Sequence, residues 1–221
     1  GSTDNTINII GKLKNSLIEV IALNKNKGSQ HARNIGIKNS ESKWVAFLDS
    51  DDLWDSLKLE KQVNLIKANN HDPLLVINSK CKRRFESDNK TEIWEIPPIK
   101  GSPEDIYKEL LVNPGPMFQG MLTSKYALEK IDYLDESIVS YQEWDTSIRL
   151  SKICSFIWIN EPLFTYNISA KETTFRKKDI WIKGYLSIVT KNKLEIVKYH
   201  GKYKFQKLIY ESLKMVGNWG E

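Results

Sequence analysis

Apolar and polar positions in the first third of the chain predict strands separated by helices. Short apolar runs at 18–23, 44–49 and 74–77 are rich in β-branched and aromatic side chains, which favour buried strands. Between them, residues 28–40 and 56–70 place their apolar side chains at helical spacing. This alternation predicts a parallel sheet covered by helices, which is an α/β fold.

The pattern changes after residue 80. Residues 80–100 alternate polar and apolar side chains around turn formers, which predicts a β-ribbon. The segment 155–168 predicts a strand pair or ribbon around Pro162, and residues 178–217 predict one or two amphipathic helices broken near Gly201. Three further helices are expected, at 103–112, 124–131 and 143–153.

Charge divides the chain of 221 residues unevenly. The net charge is +5, yet residues 171–221 hold twelve Lys and Arg against five Asp and Glu. We therefore expect one main domain over 1–170 and a basic helical extension over 171–221. The two cysteines give no disulfide framework or metal spacing, which favours a reducing compartment. No apolar run approaches the about 18 residues of a membrane span.

The acidic segment Asp49-Ser50-Asp51-Asp52 follows the apolar residues 44–48 directly. Three carboxylates at a strand end repel one another, and a divalent cation is the usual partner that offsets this repulsion. Strand ends of open α/β sheets are also where such proteins bind ligands. The alternative is an acidic turn that only caps the helix expected from residue 56.

Further segments surround this acidic motif in a recognisable order. They are Gly1–Thr6, Asn26-Lys27-Gly28, Ala32–Gly36, Phe47–Asp52, Gly120-Met121-Leu122, Leu134-Asp135-Glu136 and Gln142–Asp145. The ordered set resembles family 2 glycosyltransferases with the GT-A fold, over residue 1 to about residue 166. The resemblance implies a GT-A nucleotide-diphospho-sugar transferase fold: a mostly parallel sheet flanked by helices, here followed by C-terminal amphipathic helices.

The resemblance also implies the donor site. In this family the first acid of the motif, Asp49, usually binds the donor ribose, and Asp51 binds a Mn²⁺ or Mg²⁺ ion on the diphosphate, with Asp49 as a further candidate ligand. Gly28, Arg33 and Asn34 are candidate donor-binding residues. Arg33 suits a phosphate or an aspartate of the motif, Asp52 included, because its guanidinium can make two parallel hydrogen bonds. Alternatively, Arg33 is a surface residue of an amphipathic helix.

The segment Gln142-Glu143-Trp144-Asp145 corresponds to the family's Glu-Asp motif, in which an acid deprotonates the acceptor hydroxyl. Here Gln142-Glu143 replaces the usual pair, so Glu143 is the candidate general base and Asp145 is the second candidate. A base of this kind must reach the hydroxyl within hydrogen-bond distance. The alternative is that both acids only stabilise the positive N-terminal end of a helix.

Two departures from the family pattern bear on function. The family's first strand–helix–strand unit lies upstream of what this sequence contains, so the domain is expected to be N-terminally incomplete. The family's Tyr-Arg…His segment is Tyr166-Asn167-Ile168-Ser169-Ala170 here, without the Arg and the His. The alternative function is therefore a non-catalytic GT-A-like fragment or binding module with an incomplete donor site.

The leading expectation is a metal-dependent, inverting glycosyltransferase of the hexosyltransferase type, acting in bacterial surface polysaccharide synthesis. Its partners would be a nucleotide-sugar donor and a glycan or lipid-linked acceptor. A cytoplasmic protein is expected, with the basic C-terminal helices either lying on the inner face of the membrane or packing as ordinary helices. No nucleic-acid recognition motif is present.

Overall fold

In the computed structural model the backbone is described for residues 1–13, 15–87, 90–94, 99, 101–169 and 174–217, and side chains are not described for 174–178 and 215–217. The chain forms two compact units, Gly1–Glu41 and Ser42–Glu221. This structural division falls at residue 41. The expected division at residue 170 stays a prediction about domains.

The first unit contains two helices, α1 (Thr6–Gly11) and α2 (Ser29–Asn39). Helix α2 begins where the sequence predicts, after Gly28, whose φ of 92° is a conformation that glycine adopts without strain. The strand expected at 18–23 is wrong. These residues have no ladder partner within the described part of this unit, and Ile18 and Val20 are each 43% exposed.

The second unit is built on one six-stranded sheet. Its strands are β1 (Trp44–Ala46), β2 (Leu53–Trp54), β3 (Leu75–Phe85), β4 (Lys90–Trp94), β5 (Leu122–Ser124) and β6 (Ser155–Ile168). The strand order is β1-β5-β3-β6-β2, with β4 paired to β3. The long strands β3 and β6 run side by side, and the hairpin of β3 and β4 confirms the expected β-ribbon.

The described sheet is mixed, so the expectation of mostly parallel pairing is wrong for these strands. Only β3 and β6 pair in parallel among the described strands; the other four pairings are antiparallel. The reason is that β5 runs between β1 and β3 in the opposite direction, and that a hairpin such as β3–β4 is antiparallel by its connection. The GT-A fold class itself is confirmed by the comparisons below.

Strand β6 is continuous through Pro162, where the sequence predicts a strand pair. Its register with β3 changes there, from Ser79 opposite Ile159 to Lys80 opposite Pro162. Proline has no N–H to donate and is tolerated in a sheet at such irregularities. The result is one long strand with a bulge, which carries Tyr166 and Asn167 to the same end of the sheet as the acidic segment.

Six helices of the second unit occupy the expected positions. They are α3 (Lys58–Ala68), α4 (Pro103–Leu110), α5 (Lys125–Lys130), α6 (Gln142–Ser151), α7 (Thr174–Lys191) and α8 (Lys193–Gly217). Gly201 interrupts α8 with a φ of 83°, which confirms the predicted break. No helix in the described part of the chain combines the length and apolar character of a membrane span.

The C-terminal helices pack into the core of the second unit. Ile188 of α7 and Ile196 and Leu208 of α8 join a buried cluster with Leu110 of α4 and Trp144 of α6. The Trp144 indole also donates a hydrogen bond to Leu110 O at 2.5 Å. Helices α7 and α8 therefore support α6, the helix that carries both candidate bases.

A close contact joins α7 to the segment that precedes α6. A Cβ added at Gly184 would lie 2.6 Å from Ser140 O and 2.7 Å from Ser140 Cβ. The next residue, Tyr185, packs its ring 5.8 Å from that of Tyr141 and 5.1 Å from that of Trp144. Only a residue without a side chain lets α7 approach this loop so closely.

We therefore expect Gly184→Ala to lower the free energy of unfolding by about 1–3 kcal/mol, as overpacking does in other cores. The clash is with backbone atoms, so it cannot be relieved by a side-chain rotation alone. Chemical denaturation followed by tryptophan fluorescence measures the effect. Gly11→Ala is the control, because an added Cβ there meets no described atom within 4 Å. Equal midpoints for Gly184→Ala and the unmodified protein would contradict this expectation.

Candidate active site

The acidic segment forms a turn between β1 and β2. Strand β1 ends at Ala46, three residues earlier than predicted, and Phe47 then packs its ring 4.8 Å from the ring of Phe118. Asp52 N donates to Asp49 O at 3.1 Å, which closes the turn. Asp51 lies exposed at its tip, whereas Asp52 is only 5% exposed.

Two amide side chains hold this turn to the rest of the second unit. The Gln119 amide Nε2 donates to Asp49 Oδ2 at 2.9 Å and to Asp52 Oδ2 at 2.6 Å. Asn167 N donates to Asp52 Oδ1 at 2.9 Å, and the Asn167 side chain donates to Asp51 O. The turn is therefore attached to both the 3₁₀ helix Phe118–Gly120 and the end of β6. Sequence reasoning missed Gln119, because its partners are about 70 residues away in the chain.

Burial raises the pKa of Asp52 to about 6. The hydrogen bonds from Asn167 and Gln119 oppose this shift, and the charges of Asp51 and Asp49 add to it. Within the second unit Asp52 thus acts as the inward anchor of the turn. Asp49 and Asp51 are then the candidate ligand-binding acids of the turn.

The candidate donor residues Gly28, Arg33 and Asn34 all belong to the first unit. Gly28 N donates to Asn26 Oδ1 at 2.9 Å just before α2, and Arg33 Nη1 donates to Gln30 Oε1 at 3.0 Å within α2. Asn34 is buried and Arg33 half-buried. Their donor-binding roles stay predictions.

Tyr166, near the end of β6, connects the acidic turn with the candidate base. Burial raises the pKa of the Tyr166 phenol, and the negative charges of nearby carboxylates raise it further. These carboxylates are Asp52, Asp51, Glu143 and Asp49. The negative charges of Asp49, Asp51 and Glu143 thus all act on one phenol of the second unit, although Glu143 lies about 90 residues from the turn in the chain.

Glu143 is the second residue of α6 and is partly exposed. Tyr141, which precedes the helix, has a φ of 56° and a ψ of 34°, a left-handed conformation that non-glycine residues seldom adopt. Its ring packs at 6.0 Å from Trp144 and at 5.8 Å from Tyr185, which stabilises this conformation. Helix α6 begins directly after this sharp turn. Glu143 lies in the first turn of the helix, where the helix dipole favours a carboxylate.

Asp145 occupies a different environment. It is 1% exposed, and both of its oxygens accept charged hydrogen bonds: Oδ2 from Arg149 Nε at 2.8 Å and Oδ1 from Lys191 Nζ at 2.7 Å. Lys191 also binds Asp135 Oδ2 at 2.7 Å. Burial alone would raise the pKa of Asp135, but hydrogen bonds from Lys191 and Ser137 outweigh it and lower that pKa to about 2. This geometry favours Glu143 over Asp145 as a base that an acceptor can reach.

The carboxylates of Asp49 and Asp51 are ligands of the kind that a hard divalent cation prefers. Among the described residues, no group of three or more His, Cys, Asp or Glu is arranged to hold a metal ion. Asp49 and Asp51 nevertheless offer carboxylate oxygens, and Mg²⁺ is usually bound by one or two carboxylates together with substrate phosphates. The residues present fit that kind of site, in which the nucleotide completes the coordination.

A buried lysine, Lys58, is linked to the segment of Gln119 through Trp54 and Gln62. Sequence reasoning did not identify it. Lys58 is fully buried, donates from Nζ to Gln62 Oε1 at 2.8 Å, and places Nζ 4.3 Å from the centroid of the Trp54 ring. Trp54 Nε1 donates to Gln119 O at 3.0 Å, and Gln62 Nε2 donates to Gly120 O at 2.9 Å. Burial lowers the pKa of Lys58 to about 8. A polar network thus supports the segment that holds the acidic turn.

Comparison with known proteins identifies the family of this chain. Residues 1–132 match the family model described as Glycosyl transferase family 2. The chain belongs to glycosyltransferase family 2. An uncharacterized glycosyltransferase of Haemophilus influenzae is 30% identical over 150 residues, which is 66% of this chain and 49% of the relative. The UDP-Glc:alpha-D-GlcNAc-diphosphoundecaprenol beta-1,3-glucosyltransferase WfaP of Escherichia coli is 42% identical over 67 residues, which is 30% of this chain and 27% of the relative.

A solved structure shares the fold of this family 2 chain. The crystal structure of S. aureus TarS 1-349 has a TM-score of 0.58 and 18% sequence identity, and the match covers 100% of this chain and 61% of that chain. At this identity the likeness concerns the fold alone, and it confirms the GT-A class. The chain spans between about a quarter and half the length of the two curated relatives named above.

The lowered pKa of Lys58 leads to a prediction about pH. Between about pH 8 and pH 10.5 the folded protein binds fewer protons at Lys58 than the unfolded chain does, so stability should rise with pH across this window. The rise is at most about 3 kcal/mol. Lys58→Met should abolish this contribution, and should leave stability at pH 7 unchanged or higher because it removes a buried charge that has no carboxylate partner among the described residues.

Urea denaturation at pH 7, 8, 9 and 10 measures this dependence for Lys58→Met and for the unmodified protein. Lys67→Met, on an exposed position of the same helix, is the control and should keep the pH dependence of the unmodified protein. If stability of the Lys58→Met variant rises with pH as much as that of the unmodified protein, Lys58 is not the cause of the rise.

Proposed function

We propose that this family 2 chain transfers a sugar from a nucleotide-diphosphate donor to a hydroxyl group of a glycan or lipid-linked acceptor, with inversion at the anomeric carbon. The observations that carry the proposal are the acidic turn of Asp49 and Asp51, which Gln119 and Asn167 hold to the end of β6, and the partly exposed Glu143 at the start of α6. A transfer reaction needs acids for the donor on one side and a base for the acceptor on the other. The second unit carries both kinds of group.

On the donor side, Asp49 would bind the ribose, and Asp51, with Asp49, would hold a Mn²⁺ or Mg²⁺ ion. Such an ion, when bound, offsets the charge that develops on the nucleoside diphosphate. Gln119 and Asn167 hold the turn, so both acids keep their positions without reorganisation during the reaction. For Gly28, Arg33 and Asn34, which belong to the first unit, a donor-binding role is a separate proposal.

On the acceptor side, Glu143 would act as general base. Its carboxylate takes the proton of the acceptor hydroxyl while that oxygen attacks the anomeric carbon from the face opposite the leaving group. Attack from the opposite face inverts the configuration at that carbon. The buried ion pairs of Asp145 with Arg149 and Lys191 would hold α6 in place instead of taking part in the proton transfer.

The acceptor is proposed to be lipid-linked, as the name of the Escherichia coli relative WfaP states for that protein. Exposed residues of α8 support a location at a membrane surface. Tyr203, Lys207, Tyr210 and Lys214 follow one another at helical spacing on its exposed face. Lysines and tyrosines on one face suit an anionic lipid surface, so we propose a cytoplasmic enzyme that contacts the inner face of the membrane, in polysaccharide synthesis.

Asp51→Asn should abolish Mn²⁺-dependent binding of UDP while the fold is retained, because the variant removes the charged oxygen that the cation requires. Isothermal titration with UDP, with and without Mn²⁺, measures the effect, and circular dichroism checks the fold. Asp132→Asn is the matched control: it is exposed and has a φ of 56°, which asparagine tolerates well. Unchanged UDP–Mn²⁺ affinity in Asp51→Asn would remove the metal role of this residue.

Glu143→Gln should leave UDP binding near normal and lower the rate of sugar transfer by roughly 10² or more, the scale of general-base catalysis. The amide keeps the size of the side chain but cannot take the proton. A radiolabelled transfer assay measures the rate, with Glu129→Gln on the exposed side of α5 as the control. A full rate in Glu143→Gln together with a large loss in Asp145→Asn would move the base to Asp145.

A further inference from the structure

Strand β6 brings phenol and amide groups to the site but no positive charge. Its sequence, Ser155–Ile168, contains no Lys, Arg or His. The proposed substrates carry phosphate, and the acids around Tyr166 are negative as well. A cation from the protein would bind phosphate strongly in such surroundings, because charge-assisted hydrogen bonds to phosphate are stronger than neutral ones.

The register of the two long strands places an arginine next to Tyr166. Arg83 of β3 is the parallel partner of Tyr166, as Cys81 is the partner of Phe164 two residues earlier. Side chains that stand in register on neighbouring strands point to the same face of the sheet. Arg83 and Tyr166 therefore share one face of the sheet.

Electrostatics within the second unit agree with this placement. Burial raises the pKa of the Cys81 thiol to about 11, while the positive charge of Arg83 lowers it and the negative charge of Asp52 raises it. Asp52 also contributes to the raised pKa of Tyr166. Arg83 and the acidic turn thus act on the same small region of the sheet.

The Arg83 side chain is held in a defined orientation. Its guanidinium carbon lies 3.5 Å from the centroid of the Trp94 ring, and its side chain is 28% exposed. The carboxylate paired with it, Glu92 Oε1, is 3.9 Å from Nη1, which is too long for a hydrogen bond. A stacked guanidinium keeps its planar row of N–H donors oriented, and that row matches the geometry of phosphate oxygens.

We propose that Arg83 binds a phosphate group of a substrate, and so supplies the cation that β6 lacks. This inference rests on the proposed function. Phosphate oxygens occur in two substrates, the diphosphate of the nucleotide donor and the diphosphate of a lipid-linked acceptor. Both present the same oxygens to the guanidinium, and the experiment distinguishes them.

The test compares ligands that differ only in phosphate. Isothermal titration gives the affinities for UDP and for uridine in the presence of Mn²⁺, and transfer kinetics give KM for an acceptor with its diphosphate and for the same glycan without it. Arg83→Gln should weaken UDP binding roughly 10-fold or more, or raise the KM of the diphosphate acceptor by a similar factor. Uridine binding and the KM of the phosphate-free glycan should not change.

The pattern of losses assigns the phosphate. A loss confined to UDP identifies the donor, and a loss confined to the diphosphate acceptor identifies the acceptor. Arg83→Lys should keep part of the affinity, since it keeps the charge and loses the planar fork, and it carries the test if Arg83→Gln does not fold. Arg84→Gln is the control, because Arg84 follows on the opposite face of β3.

Three results would overturn the inference: no change in any of the four constants, equal losses with and without phosphate, or a loss in Arg84→Gln in place of Arg83→Gln. The proposed function has its own test in Asp51→Asn. If Asp51→Asn abolishes UDP–Mn²⁺ binding while Arg83→Gln changes nothing, the transfer function stands and the role of Arg83 is wrong.

Discussion

The buried carboxylate of Asp52 is the point on which the candidate site depends. Two hydrogen bonds compensate for its burial, from the side chain of Gln119 and the backbone of Asn167, and these partners come from distant segments of the chain. Gln119 also binds Asp49, so one amide sets the positions of two acids. Without these partners, repulsion among the carboxylates would open the turn.

The second constraint is the attachment of α6 to the C-terminal helices. Gly184 and Tyr185 of α7 contact the loop before α6, and Lys191 at the end of α7 binds Asp145 inside it. Glu143 lies between these contacts. The basic C-terminal helices therefore belong structurally to the unit that carries the candidate base. Any contact of α8 with a membrane would occur on a helix packed against the same core.

Local features of the sequence were enough to predict the helices and to identify the candidate acids. Periodicity placed α2 to α8 within a few residues, because one buried face imposes the same spacing wherever the helix packs. The ordered motifs led to the family through Asp49, Asp51 and Glu143. The predicted strand at 18–23 is wrong because β-propensity needs a partner strand, and the sequence pattern carries no information about that partner.

The sequence by itself determined the fold class, the family and the acids proposed for catalysis. Each of these depends on short motifs whose residues lie close together in the chain, so a single sequence is enough to recognise them. Only the tertiary structure decided that Gln119 binds the acidic turn, that Asp145 is buried between two cations, and that Arg83 and Tyr166 share one face of the sheet. Each of these depends on strand register or on contacts between residues tens of positions apart. Register shifts by one residue would move Arg83 to the other face of the sheet, and local composition does not specify which register the strands adopt.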